Sequence, residues 1–437
     1  MQDTAAAGAR AELAHLYRRA GFGARPDELD AAVTAGYEAT VGQLLHPSGP
    51  DAGATATPPP GLGAAAGRPP KGAGKEQKRA YAKARRTQAN TLVTWWLDRM
   101  VRADEPFGEK LTLLWHDHWA TSIQKVKSAG LMLRQNQTLR AHGTGDFRML
   151  ARAMVQDPAL LLWLDGPKNK RTLPNENLSR ELMELFVLGI GHYTEDDVRE
   201  AARALTGWRV DRVTGAAALR PAGHDDKPKT VLGRTADFDD QSLVDLLVAQ
   251  PASAAFVATR LWHRLVSPAD PSPDVLARLL SAYGPGQDVR ALVRAMLLDA
   301  SFRSPAVRHA LVKQPIEYVV GTLRALRLGA APEAIDALHG MGQVPFAPPN
   351  VGGWPAGSAW LTASTAQARL RFAEWAAGRA DLAAVTAAVP AARIDGVARL
   401  LSVDSWTPRT RTALAAASTD PQRLVTLALV APEYVVS

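Results

Sequence analysis

Two glutamates lie among apolar residues in the stretch NENLSRELMELFVLGIGHYTEDDVREAARALTGW, which covers positions 175–208. Glu181 and Glu184 fall in a segment whose leucines recur at helical spacing, namely Leu178, Leu182 and Leu185. So much of this helix is apolar that we expect it to be largely buried. A buried carboxylate needs a cation, a metal ion or several hydrogen-bond donors. Glu181 and Glu184 are therefore predicted to be catalytic residues of a polar site.

Two other interpretations of these acids stay open. They could lie on a solvated shoulder of the helix, or they could pair with Arg180, which is one helical turn from both Glu176 and Glu184. Glu181 has no cation four residues away, so we favour catalysis for Glu181 and the ion pair for Glu184. Asn177 and Arg180, from the start of the same helix, are predicted to bind substrate.

The motif WHDHW at positions 115–119 suggests a His-x-His metal site. On a strand His116 and His118 would share a face, whereas on a helix they point roughly 200° apart. The preceding GEKLTLLW favours a helix, so we expect only His118 to point inward. His118 is predicted to be a catalytic acid or base, because its ordinary pKa is near neutral. The alternative is a hydrogen-bonded core residue.

Two loops supply the remaining candidates. In GHDDKPKTVLG, His224 and Asp225 are predicted to bind a divalent metal ion, and the alternative is an ordinary polar turn. In PPNVGGWPAGSAW, Asn350 and an exposed Trp354 are predicted to form a platform for sugars or peptides. The alternative is that Trp354 and Trp360 only pin this loop to the core.

Sequence signals also mark the ends of the two helices in the opening stretch. The first helix is predicted over residues 177–188 and is closed by Gly189. The second begins with a capping box, in which Thr194 is the N-cap and Asp197 is the third helical residue. Gly207 is predicted to stop the second helix.

Helical patterns fill most of the 437 residues, and alternating strand and helix signals are absent. We predict a mainly α, multi-helix globular fold with one small β-hairpin insertion at about 207–221. Residues 1–45 are predicted to be an N-terminal helical segment, and 76–437 the main helical domain. Between them, residues 46–75 are rich in Pro, Gly and Ala, which predicts a flexible excursion.

The net charge of +8 comes from one short stretch. Between Arg68 and Arg86 the chain has eight Lys or Arg and one acid, Glu76, and the remainder is close to neutral. This distribution argues against a nucleic-acid partner and favours a solvated, basic entry to a helix.

Composition also limits the compartment. No run of 18 apolar residues occurs, so no transmembrane segment is predicted. The first residues lack the apolar core of a secretory signal, which predicts a cytoplasmic protein as given, or an exported one if a leader was removed. With no Cys, disulfides and thiolate metal ligands are excluded.

The opening stretch resembles the signature of a bacterial family catalogued as domain of unknown function 1800. Four other stretches fit the same family, namely LYRRAGFG, LLWHDHWATS, GHDDKPKTVLG and PPNVGGWPAGSAWLTASTAQAR. The resemblance covers nearly the whole chain and implies a mostly α-helical fold. It also implies a sulfatase-like protein as a partner, and a secretion signal that this sequence lacks. The family has no settled activity, so the resemblance narrows the fold more than the function.

Motifs of several enzyme classes are absent, including the Walker phosphate loop, the G-x-S-x-G elbow and H-E-x-x-H. The leading hypothesis is a hydrolase or transferase, with or without a divalent metal ion, acting on a polar substrate such as a glycan or peptide. Asp165 completes its predicted substrate-binding residues. The rival hypothesis is a non-catalytic helical scaffold or partner protein, whose polar motifs are structural ion pairs.

Overall fold

The structure, a computed structural model, describes residues 2–63, 69–70, 72–212 and 214–436, with side chains from position 7 onward. The first twelve α-helices are α1 Gln2–Ala20, α2 Pro26–Ala35, α3 Tyr37–Leu45, α4 Ala52–Thr55, α5 Lys75–Arg102, α6 Pro106–His118, α7 Ile123–Val126, α8 Ala129–His142, α9 Phe147–Val155, α10 Pro158–Trp163, α11 Asn177–Glu181 and α12 Glu195–Ala204. A π-helix, Leu182–Val187, continues α11 directly. The predicted mainly α fold is confirmed.

The second half of the chain is also helical after a short β region. The strands are β1 Trp208–Val210, β2 Ala217–Leu219, β3 Lys229–Val231 and β4 Arg234–Ala236. The later helices are α13 Asp240–Val248, α14 Pro251–Leu265, α15 Pro273–Tyr283, α16 Val289–Leu298, α17 Ala300–Arg303, α18 Pro315–Ala325, α19 Pro332–Met341, α20 Ala363–Ala377, α21 Ala383–Thr386, α22 Pro390–Leu400, α23 Pro408–Ala415, α24 Pro421–Leu429 and α25 Pro432–Val435. Short 3₁₀ turns are Gly166–Lys168, Pro221–Gly223, Pro305–Val307 and Gly357–Trp360.

Helix α6 lies at the centre of the fold. Its residues 109–118 are all buried, polar and apolar alike. Leu111 and Leu114 belong to a hydrophobic cluster built mainly from α1–α3, α9–α17 and the π-helix. Leu113 belongs to a second cluster, built mainly from α5, α8 and α18–α25. Because α6 contributes to both clusters, its position determines how the two halves of the core meet.

The Pro/Gly/Ala-rich stretch is more ordered at its start than its composition predicts. Asp51 caps α4, and the Thr57 carbonyl accepts a hydrogen bond from Trp95 Nε1 of α5 at 3.0 Å. The Ala54 carbonyl accepts from Arg99 at 2.9 Å. Residues 51–57 therefore have hydrogen-bond partners in α5, and the flexible excursion over 46–75 stays a prediction. Residues 64–68 and 71 of the same stretch lie outside the described residues.

The capping signals of the opening stretch place the second helix correctly. The Thr194 side chain accepts from the Asp197 amide, and the Asp197 side chain accepts from the Thr194 amide, so the predicted capping box is confirmed. The first helix covers the predicted residues, but its second half is a π-helix. The amides of Leu188 and Gly189 both donate to the Met183 carbonyl at 3.0 Å.

The predicted β-hairpin is confirmed, and a second one follows it. β1 pairs antiparallel with β2, with Trp208 opposite Leu219. β3 pairs antiparallel with β4 around Leu232 and Gly233, which both have positive φ, at 49° and 74°. This backbone matches the twist of a two-residue hairpin. The motif GHDDKPKTVLG is therefore part strand, where a loop was expected.

Among the described helices, none is by itself long and apolar enough to cross a membrane. α13 and α14 meet the criteria of length and composition only as a pair, with a bend of 77° between them.

Candidate functional site

The WHDHW motif forms the end of α6, and its polar side chains are buried. His116 is 1% exposed, Asp117 is 3% exposed and His118 is 5% exposed. The prediction that only His118 points inward is wrong. A helix that is packed on all sides offers no solvent face, so the 200° between the two histidines directs each of them into a different part of the core.

Both histidines are hydrogen-bonded to backbone groups of other segments. His118 Nε2 lies 2.9 Å from the Phe186 carbonyl oxygen in the π-helix, so it carries the proton and donates. His116 Nε2 accepts from the Phe346 amide at 2.9 Å. Burial lowers the pKa of each imidazole to about 3, so both are neutral at pH 7. The hydrogen-bonded core residue, which was the alternative for His118, fits this geometry.

Asp117 connects α6 to two distant segments. One carboxylate oxygen accepts from the Trp354 amide at 2.8 Å, and the other contacts the guanidinium of Arg264 in α14. Gly353 has φ of +87°, and a Cβ there would lie 2.4 Å from the Asp117 carboxylate and 2.6 Å from its carbonyl oxygen. The loop can approach α6 this closely only because position 353 is a glycine.

The tryptophans of this loop are buried. Trp354 and Trp360 are each 3% exposed, so the prediction of an exposed platform for sugars or peptides is wrong. The alternative, in which both residues pin the loop to the core, agrees with the structure. Asn350 is exposed, and its side-chain oxygen accepts from the Gly352 amide at 2.8 Å. It shapes the same turn that brings Gly353 to Asp117.

The acidic residues of the opening stretch have partners other than those predicted. Arg180 pairs with Glu176 at 3.0 Å and with Glu195 of α12 at 2.7 Å. The predicted pair between Arg180 and Glu184 is therefore wrong. Glu184 instead accepts a hydrogen bond from the hydroxyl of Tyr193 at 2.9 Å. The wider π-helix begins at Leu182, between Arg180 and Glu184, so the four-residue spacing of an α-helix does not apply there.

Glu181 is half-buried, and within the described part of the chain its carboxyl has no hydrogen bond or ion pair. Burial, followed by the charge of Glu184, raises its pKa, and Arg180 only partly opposes this. The Tyr193 pKa is raised to about 12 by burial and by its bond to Glu184. Asn177, one turn before Glu181, is also half-buried. We call Asn177, Glu181, Glu184 and Tyr193 the acidic cluster. Of its two carboxyl groups, only that of Glu184 has a hydrogen-bond partner among the described residues.

The proposed metal ligands are engaged with α12. Arg203 donates to the Asp225 carboxylate at 2.8 Å, and these hydrogen bonds outweigh burial, so the Asp225 pKa lies below its usual value. The Asp225 amide donates to the Thr206 hydroxyl at 2.8 Å, and His224 Nδ1 lies 3.1 Å from the Thr206 carbonyl. Throughout the described residues, no group of three His, Asp or Glu is arranged to hold a metal ion. Metal binding by His224 and Asp225 therefore stays a prediction, and both residues already have protein partners.

Asp165 belongs to a separate surface network. Its carboxylate pairs with Lys125 and with Lys168, both at 2.8 Å. Its own φ of 60° places it in the left-handed region, where a short polar side chain is favoured. No hydrogen bond or ion pair links it to Glu181 or His118 among the described residues, so it lies outside the acidic cluster.

Sequence reasoning missed two buried charges on α6. Glu109 accepts hydrogen bonds from Arg99 at 2.6 Å, Arg140 at 2.7 Å and Trp96 Nε1 at 2.9 Å. Lys110 pairs with Glu317 of α18. The available signal in the sequence was the charged pair Glu109 and Lys110 directly before the apolar run of this helix. Charged side chains are buried only when they have partners. We call Glu109, Lys110, His116, Asp117 and His118 the α6 polar residues.

The comparisons with known proteins identify a family for the chain. Residues 15–436 match the family described as Protein of unknown function (DUF1800). The chain belongs to this family. No curated protein and no solved structure matches it. Membership of this DUF1800 family therefore confirms the resemblance noted from the sequence, and it assigns no reaction to the Glu181 region.

The contact between Gly353 and Asp117 predicts that Gly353→Ala strongly destabilises the fold. The new Cβ would strike both the carboxylate and the carbonyl oxygen of Asp117, which adds a packing cost of about 1–3 kcal/mol to the strain of a positive φ. Gly357→Ala is the matched control, since Gly357 has φ of +63° but no atom near its Cβ position. Urea unfolding should show the larger loss for Gly353→Ala, and equal losses would contradict the contact.

Proposed function

We propose that the protein is a non-catalytic helical scaffold or partner protein whose polar motifs stabilise its own fold. One observation supports this proposal. Most of the side chains predicted to form an active site are already buried or bonded to other groups of the protein. Of the ten predicted site residues, eight are buried, hydrogen-bonded or ion-paired, namely His118, Asp165, Arg180, Glu184, His224, Asp225, Asn350 and Trp354.

The state of these groups supports the proposal on chemical grounds. A general base must offer a free lone pair within reach of substrate, with a pKa near the working pH. His118 has a pKa of about 3 and uses its Nε2 proton on a backbone carbonyl. Asp225 is held by Arg203 with its pKa lowered. These properties suit structural hydrogen bonds better than proton transfer.

A second candidate function is favoured by Glu181. Its carboxyl has a raised pKa and lies beside Glu184, which accepts a hydrogen bond from the Tyr193 hydroxyl. Two neighbouring carboxyl groups in different environments are a common arrangement of acid and base in hydrolysis or transfer. Glu181 would supply the proton, Glu184 would act as base or nucleophile, and Asn177 would contact a polar substrate such as a glycan or peptide.

The family resemblance implies a partner. We retain a sulfatase-like protein as the partner to test.

A panel of chromogenic glycosides, esters, phosphate esters and peptides separates the two functions. We expect wild-type protein, Glu181→Gln and Glu184→Gln to show the same background rates. The amide keeps the shape of each side chain, so folding is preserved. Turnover by the wild type that Glu181→Gln loses would overturn the scaffold proposal and support the acid pair.

The pH dependence of stability provides a test of the environment of Glu181. Since its folded-state pKa is raised, the wild-type fold loses stability as pH rises from about 4.5 through that pKa. Glu181→Gln should therefore gain in unfolding free energy relative to wild type between pH 4 and pH 7.

Glu195→Gln is the matched control with the opposite sign. Arg180 lowers the pKa of Glu195, so its contribution is present above the unfolded pKa and is lost on acidification. Guanidinium unfolding at several pH values measures both effects. A Glu181→Gln variant that is less stable than wild type at pH 7 would show that Glu181 has a counter-charge.

A further inference from the structure

A strongly basic cavity lies between α1, α6, α14 and the start of α18, away from the acidic cluster. The cavity has a volume of about 390 Å³, including a part open to solvent. It therefore has room for a small polyatomic ion or a few waters.

Cationic side chains dominate the lining. Within the described part of the chain, the lining residues include four cations and one carboxylate, namely Arg18, Arg19, Lys110, Arg264 and Glu317. Lys110 is 2% exposed and Arg18 is 8% exposed, so these charges are largely withdrawn from water. Burying charge in this way is costly unless an opposite charge compensates it.

The available carboxylates compensate only part of this charge. Glu317 pairs with Lys110, Asp117 with Arg264, and Asp404 approaches Arg18 at 3.3 Å. These pairs use one carboxylate each for Lys110, Arg264 and Arg18. Arg19 donates to the Val307 carbonyl, and a further ammonium group lies beside these pairs.

Arg18 lines the cavity, and two of its donors are buried without a hydrogen-bond partner in the described part of the chain. Its Nη1 donates to the Ser402 carbonyl at 2.8 Å and to Asp404. Among the described residues, no acceptor lies within hydrogen-bond distance of its Nε or Nη2. These two N–H groups form the edge of the guanidinium that binds an oxyanion with two parallel hydrogen bonds.

Lys313, two residues before α18, is the additional cation. It is 6% exposed and has no carboxylate partner in the described residues, and its ammonium lies 3.6 Å from the centre of the Tyr434 ring. Burial and the charge of Arg18 lower its pKa well below the usual value. Burial and the charges of Arg19 and Arg18 likewise lower the pKa of the nearby His15 to about 2. In both groups burial is the largest cause of the lowered pKa, and the charges of neighbouring arginines add to it.

The geometry points to a binding site for a tetrahedral oxyanion, phosphate or sulfate, held by Arg18 and Lys110 in this cavity. The planar donor edge of Arg18 matches two oxygens of such an ion, and Lys110 supplies a point charge. The first turn of α18 adds the partial positive charge of a helix N-terminus, since Gln314 and Glu317 line the same cavity. The argument for this site uses no residue of the acidic cluster, and it does not depend on the scaffold proposal.

Calorimetric titration of the full chain with inorganic phosphate, and separately with sulfate, tests the site. The buffer is matched with sodium chloride, so that ionic strength stays constant. We expect saturable binding of one ion per chain and a phosphate-dependent rise in Tm, because a ligand that binds only the native state stabilises it. Saturation by phosphate alone would identify the site as phosphate-specific, and saturation by both ions as a general oxyanion site.

Arg18→Gln should weaken phosphate binding by about tenfold or more, the usual effect of losing a charge-assisted hydrogen bond. Arg411→Gln is the matched control, because Arg411 is an exposed arginine paired with Asp395 outside the cavity. Should Arg18→Gln fail to fold, Glu317→Gln provides a change of opposite sign. It removes the cavity's carboxylate while keeping a hydrogen-bonding side chain, so phosphate binding should tighten.

Two outcomes would overturn the inference. One is a wild-type protein that phosphate and sulfate do not stabilise beyond chloride at equal ionic strength. The other is phosphate binding that Arg18→Gln and Arg411→Gln weaken to the same extent, since that would place the ion elsewhere on the basic surface.

Discussion

The fold depends on the burial of polar side chains on one central helix. The α6 polar residues lose their hydration when α6 is enclosed, and each recovers hydrogen bonds from a different segment. Glu109 contacts α5 and α8, Lys110 contacts α18, and Asp117 joins α14 to the loop that carries Trp354. A buried polar group without a partner costs about 1–3 kcal/mol. These elements must therefore pack around α6 in one arrangement.

The need of buried polar groups for partners explains the fate of the motifs that resemble catalytic ones. Among the described residues, these motifs contact different parts of the core and do not meet in one site. His118 stabilises the π-helix through the Phe186 carbonyl, and Asp225 ties the second hairpin region to α12 through Arg203. Residue types that are common in active sites are used here to satisfy the interior. Glu181 and the basic cavity at Arg18 differ from these residues. Among the described residues, the Glu181 carboxyl and two donor groups of Arg18 have no hydrogen-bond partner.

Local signals in the sequence predicted the local structure well. The capping box at Thr194 and the hairpin at 207–221 were found because both depend on residues close in sequence. Predictions based on side-chain direction were less accurate. Helical spacing predicts an outward His116 only if α6 has a solvent face, and α6 has none. It pairs Glu184 with Arg180 only if the helix is α-helical throughout, and a π-helix begins at Leu182. The cavity at Arg18 could not be predicted, since its lining comes from five segments that are distant in sequence.

The central claim is that the α6 polar residues are structural, and a double-mutant cycle on Asp117 and Arg264 tests it most directly. Unfolding free energies would be measured for Asp117→Asn, Arg264→Gln and the double variant, with the exposed pair Asp395 and Arg411 as reference. We expect each single change at the buried pair to cost about 3–5 kcal/mol, with a coupling energy of about 1 kcal/mol or more, against about 0–1 kcal/mol for the exposed pair. Small, additive losses at Asp117 and Arg264, equal to those of the exposed pair, would contradict the account.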